Sequence, residues 1–174
     1  MSSPRIHPPT QSELEEPRFQ LGQRMLITGV KGRFTGPDLG KHSALWQSLA
    51  VHLGKIPGQV ASITYGVCYN IIPSPFSFEY MAGVEIFEAS ALLADFIVVR
   101  VPEMRYAIFT HRGHVSTLSK TIDTIHQNWL PNSGLQLVQG IPDAPQLLER
   151  YDERFDPGTG TGEMELWIPI AIRK

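Results

Sequence analysis

The chain has 174 residues, 42% of them hydrophobic, enough for one domain with a substantial core and too few for a second ordinary domain beside it. A formal net charge of −2 gives no concentrated basic surface, so direct nucleic-acid binding is not expected. The single cysteine, Cys68, excludes an internal disulfide, and neither a signal-peptide pattern nor a run of roughly 20 apolar residues occurs, so a cytoplasmic protein without a membrane partner is expected.

Residues 1–17 carry Pro4, Pro8, Pro9 and Pro17 among scattered polar residues and are read as a loose tail. Arg18 to Val30 has the content of one strand, ending at the turn-like Lys31-Gly32. Thr35 to Asp38 supplies capping residue types, and Leu39, His42, Leu45, Trp46, Leu49 and Leu53 then recur at helical spacing up to Gly54. Strands over Ser62–Ile72 and Phe78–Phe87 follow, separated by Pro73-Ser74-Pro75. Ala89 to Val101 is a connector containing a strand-like stretch, Phe96 to Val101, and ends at Pro102.

The same order then recurs about 80 residues later: a strand from Arg105 to His111, then a helical stripe of Val115, Leu118, Ile122, Ile125 and Trp129 closed by Pro131. Strands over Gln146–Phe155 and Met164–Ile172 complete the copy, with the glycine-rich Asp156–Gly162 as the hairpin loop. The reading is an α+β fold of two pseudo-symmetric β-α-β-β repeats, residues 18–88 and 103–173, within a single domain of residues 18–174. Aligning the copies makes Glu85 and Glu165 equivalents. Alternation along a strand sets Met164, Leu166 and Ile168 against Glu163, Glu165 and Trp167, and sets Val84 and Ile86 against Glu85 and Phe87. Each helix has one apolar stripe. Both are therefore expected on the aliphatic face of one antiparallel sheet, leaving the Glu-and-aromatic face as a ligand groove.

Such a groove suits a hydrophobic organic cation, because rings supply apolar contact and cation–π attraction while a partly desolvated carboxylate supplies the opposite charge. Glu165 and Glu85 are the candidate counter-charges; Trp167, Phe87, Tyr151, Tyr69 and Tyr106 are the candidate walls. A Glu on an open strand face is more often simply solvated, and large rings are more often core. A hydrolase reading uses the same groove, with Glu165 as general base and Tyr151, Tyr69 or Tyr106 as donor. A protein-masking module is the third reading. His111 and His114 lack ligand spacing for a metal, Cys68 sits in an apolar strand as an inert thiol, and no phosphate-binding loop opens a helix, so no cofactor is indicated. Asp152 and Arg154 are read as a structural ion pair.

Four segments of the second half also carry a resemblance: Tyr106–Gly113, Trp129-Leu130-Pro131, Tyr151-Asp152-Glu153-Arg154-Phe155 and Glu165-Leu166-Trp167-Ile168-Pro169-Ile170. In order and spacing they resemble the GyrI-like or AraC-type effector-binding domain family, over about Arg18 to Ile172. The resemblance implies two pseudo-symmetric halves around a groove for hydrophobic, often cationic compounds, with a last-strand carboxylate, here Glu165, meeting the ligand. Regulators of this kind carry a further helix-turn-helix module of roughly 100 residues. The first 17 residues here cannot supply one, so the chain resembles the binding domain standing alone, of the multidrug-binding type.

Overall fold

The computed structural model describes residues 14–35, 41–142 and 144–172. Ten strands form one antiparallel sheet: β1 (Arg18–Gly22), β2 (Met25–Thr35), β3 (Gln59–Pro73), β4 (Phe76–Ile86), β5 (Ile97–Val101), β6 (Met104–His114), β7 (Leu135–Leu137), β8 (Leu147–Tyr151), β9 (Phe155–Asp156) and β10 (Thr161–Ile172). Their order is β1-β6-β10-β8-β3-β4-β2-β5, with β7 and β9 also pairing with β10. Only Pro102 and Glu103 separate β5, at one end of this order, from β6, next to the other end. The sheet must therefore curl. Val99 and Val101 of β5 share one buried cluster with Met104 and Tyr106 of β6.

The two faces divide as alternation predicts. On one, Leu49 and the half-buried Leu45 of helix α1 (Ser43–Ala50) pack against Ala82, Val84 and Ile86. On the same face the second helical segment packs Leu118 and Ile125 against Phe109, Met164, Leu166 and Ile168. Among the described residues the opposite face carries no helix, and it gathers Ile27, Tyr65, Val67, Tyr69, Met81 and Tyr106. Fully burying an aliphatic or aromatic side chain stabilises by about 1.5–3 kcal/mol, so the helix face supplies much of what holds the sheet in its curl.

Three expectations need correction. The first strand is two: β1 pairs with β6 and β2 with β4 and β5, on distant parts of the sheet. The exposed Gln23 and Arg24 mark the crossing, and Gly22 permits it, because a Cβ there would stand 2.4 Å from the Tyr106 ring. The second helix is not one regular stripe but a 3-10 turn (Val115–Thr117), α2 (Leu118–Thr124), a π turn (Ile125–Trp129) and α3 (Leu130–Asn132). Pro131 has no N–H for the carbonyl four residues back, and the widened turn before it absorbs the missing bond. Of the last two strands, the first is shorter than expected, since β8 stops at Tyr151 and a turn precedes β9, while β10 is longer, beginning at Thr161.

The predicted capping residues Gly36 to Asp38, Leu39 of the stripe and the first 13 residues of the tail lie outside the described residues. The end of that tail is anchored: Leu14 packs on the second half's helix face, and Glu15 pairs with Arg112 at 3.0 Å. No helix among the described residues is long and apolar enough to cross a membrane.

Gly29 faces Gly83 across the β2–β4 ladder, and a Cβ on Gly29 would lie 2.0 Å from the Ala82 carbonyl oxygen. Backbone on both sides cannot give way. Gly29→Ala is expected to cost about 1–3 kcal/mol, read as a fall of several degrees in Tm; an unchanged Tm would contradict this close approach.

Candidate functional site

Cross-strand register builds the site on the helix-free face. Glu165 stands opposite Thr110 of β6 on one side and Arg150 of β8 on the other, while Trp167 stands between Ile108 and Leu148. On the next strand Tyr65 faces Arg150 and Val67 faces Leu148. Tyr69 follows two residues later on the same face, and Glu85 of β4 faces Ile27 of β2. Directly opposed residues share a face. Glu165, Glu85, Trp167, Tyr69 and Tyr106 therefore all lie on one surface, with Tyr65 as a further ring. Tyr65 was legible in principle, since it precedes Tyr69 by four residues in a strand.

The two carboxylates that the repeat makes equivalent have different surroundings. Glu165 is 2% exposed, and three guanidiniums meet it: Arg18 at 2.5 Å, Arg150 at 3.0 Å and Arg154 at 3.5 Å. Arg150 and Arg154 are in turn held by Asp152, whose carboxyl these partners, Arg154 foremost, draw down to about 2. The expected Asp152–Arg154 ion pair is thus present. Glu163 meets Arg112 and Arg154 along the same rim, so it is paired rather than merely solvated. Glu85 has no ion-pair or hydrogen-bond partner among the described residues, and burial raises its pKa. It lines an open cavity of about 510 Å³ with Met25, Phe87, Arg24, Arg100 and Pro102. Phe87 stands just past the end of β4 and is 70% exposed, so it borders this cavity and not the inner part of the groove.

Tyr151 does not belong to the groove. The Thr64–Tyr151 and Tyr65–Arg150 pairings put Arg150 on the ligand face and Tyr151 beneath α1, where its ring meets Trp46 at 5.3 Å. There its hydroxyl donates to Glu149 Oε1 at 2.7 Å, as the Tyr80 hydroxyl does at 2.8 Å, and the Trp46 indole donates to Tyr80. Burial raises the pKa of Glu149 against the opposing effect of the two hydroxyls. Alternation splits residues 147–151 into two sets but does not say which set joins Glu165. The general base and the Tyr151 donor of the hydrolase reading therefore lie on opposite sides of the sheet, while Tyr69 and Tyr106 stay with Glu165.

His111 is buried, with Nδ1 2.8 Å from the Thr121 hydroxyl, and His114 caps the following turn by accepting from Ser116 N–H. His111 is thus a core residue and His114 a turn cap. Burial, with Glu149 nearby, raises the pKa of the Cys68 thiol, as suits an inert side chain.

A carboxylate whose folded pKa lies above its unfolded one costs stability once pH rises past the folded value. Glu85→Gln is therefore expected to leave Tm at pH 7 unchanged or higher. Glu165→Gln removes the shared partner of three arginines and is expected to cost about 2 kcal/mol, a figure reduced for the arginines' partial exposure. Thermal melts of the two variants compare them directly, and equal shifts would contradict the asymmetry.

The model of the GyrI-like small molecule binding domain matches residues 16–171. The transcriptional regulator BrlR of Pseudomonas aeruginosa is 28% identical over 161 residues, covering 90% of this chain and 54% of BrlR, so the chain spans about half the length of that curated relative. Among solved structures, SAV2435 bound to tetraphenylphosphonium superposes with a TM-score of 0.69 at 18% identity, covering 90% of this chain and 94% of that one. A hydrolase from Listeria innocua superposes with a TM-score of 0.53 at 15% identity, covering 90% and 92%. At these identities the structures show the fold, a curled antiparallel sheet with helices on one face. With the family model matched along nearly all of its length, the chain belongs to the GyrI-like small molecule binding domains.

Proposed function

We propose that the chain binds a hydrophobic organic cation on the helix-free face, with Glu85 as the counter-charge and Tyr65, Tyr69, Tyr106 and Trp167 as the inner walls. The carrying observation is the state of Glu85, a partly desolvated carboxylate with no ion-pair partner among the described residues, in the wall of a 510 Å³ cavity that it shares with Met25, Phe87, Arg24 and Arg100. Desolvation makes a monovalent cation a better partner for it than water, and the adjoining ring adds cation–π attraction. SAV2435, bound to tetraphenylphosphonium, has this fold, which supports the ligand class. Glu165, the counter-charge that the resemblance implies, already has its charge matched by Arg18, Arg150 and Arg154, so its role becomes that of organising the arginine side of the groove.

Tetraphenylphosphonium titrated into wild type, Glu85→Gln and Glu165→Gln by calorimetry tests this. Glu85→Gln is expected to weaken binding about tenfold, roughly 1.4 kcal/mol, at both low and high salt, because the carboxylate stands beside the ligand. Glu165→Gln leaves arginine charge unbalanced and is expected to weaken binding mainly at low salt, where through-space repulsion is not screened. Unchanged affinity in Glu85→Gln would remove the counter-charge.

The pH dependence has a fixed sign. Binding needs ionised Glu85, so affinity is lost as pH falls through its pKa. Because burial raises that pKa, the loss is expected to begin at higher pH than for an exposed carboxylate, and to vanish in Glu85→Gln.

A further inference from the structure

We propose that the compound taken by this groove carries, besides its positive charge, a hydrogen-bond acceptor such as a carbonyl oxygen, which the Tyr106 hydroxyl and the Trp167 indole N–H receive. This rests on the groove reading above and narrows its ligand class.

Tyr106 begins the inner run of β6 and Trp167 lies on β10. Tyr106 is opposite Pro169 and Trp167 is opposite Ile108, so the two rings are diagonal neighbours on the ligand face. Their centroids are 5.2 Å apart at 63°. Tyr106 is fully buried, and both its hydroxyl oxygen and Trp167 Nε1 are sealed from solvent with no hydrogen-bond partner among the described residues. Native folds seldom leave even one such group unpaired, because it forfeits its water bonds without replacement. Here two adjoin.

Both groups lack the same thing. An indole N–H can only donate, and burial keeps the tyrosine protonated and able to donate. Around them Val67, Met104, Ile108 and Leu148 offer no side-chain acceptor, and the Tyr65 hydroxyl, close enough to act electrostatically on Tyr106, is engaged by Arg150. Of the carboxylates on this face, Glu165 is taken by its arginines and Glu85 lies in the wall of the open cavity. The complement of two donors in an apolar, aromatic setting is an oxygen lone pair on an otherwise apolar molecule. Because both atoms are sealed, a ligand reaches them as the two rings part, replacing their mutual edge contact with its own surface.

The test uses two phosphonium salts of equal charge and nearly equal shape, (4-benzoylbenzyl)triphenylphosphonium and (4-benzylbenzyl)triphenylphosphonium, which differ by C=O for CH2. Wild type is expected to bind the ketone about tenfold more tightly, since a site with unpaired donors discriminates strongly against an analogue lacking the acceptor. Tyr106→Phe is expected to cut that ratio severalfold, and its Tm without ligand should not fall. Trp167→Phe, which removes the N–H on the other strand, should cut the ratio as well, and serves if the first variant does not fold.

Equal affinity for the two salts in wild type, both weakened by Glu85→Gln, would overturn the acceptor while the cation reading stands. Binding of neither salt would overturn both. A Tm several degrees lower in Tyr106→Phe with an unchanged ratio would assign the hydroxyl to the fold and also overturn the proposal.

Discussion

Burying a carboxylate until it is 2% exposed costs several kcal/mol of desolvation even after relaxation, and that cost must be offset by opposite charge. Glu165 meets that constraint with three arginines drawn from separate parts of the chain: Arg18 from β1, Arg150 from β8 and Arg154 from the turn before β9. These contacts tie the N-terminal edge strand and the β8–β9 turn to the long last strand. Asp152 then holds two of the guanidiniums in place from behind. The groove thereby acquires an ordered, charge-balanced side. Its available negative charge lies elsewhere, at Glu85, where the facing residue is Ile27 and the β3 register is irregular between Gln59 and Thr64. Two positions made equivalent by the repeat differ in their partners because their cross-strand neighbours differ.

Much of this was open to reading from residues alone. The repeat, the α+β class and the division of β10 into Met164-Leu166-Ile168 against Glu165-Trp167 follow from periodicity, and the structure places those sets on opposite faces as expected. The arginine partners of Glu165 were not legible, because Arg18 lies far away in sequence and Arg150 reaches Glu165 only through strand pairing. Tyr151 failed for a related reason: its face depends on which neighbour in the 147–151 run lines up with Tyr65, and register between distant strands has no local signature. The division of the first strand into β1 and β2 was not legible because both pieces have strand composition and only Gln23-Arg24 separates them. Local pattern gives faces and elements; pairing decides which charges meet.

The seam between the two halves shows what fixes that pairing. The halves join along β3 and β8, from Thr64–Tyr151 to Cys68–Leu147. On the helix side of this ladder the buried Glu149 accepts from Tyr80 and Tyr151, and a Cβ at Gly66 would lie 2.3 Å from the Tyr80 hydroxyl, so that network leaves no room for another side chain. On the ligand side Arg150 lies between Tyr65 and Glu165. A slip of one residue would exchange the faces, bringing Glu149 beside Glu165 and leaving Arg150 beneath α1 among apolar side chains. Either displacement buries charge without a partner, the costliest error available to a sheet whose two faces are otherwise both apolar enough to tolerate it. The polar groups at the seam thus select the register, and the register in turn sets which rings and which carboxylate line the groove.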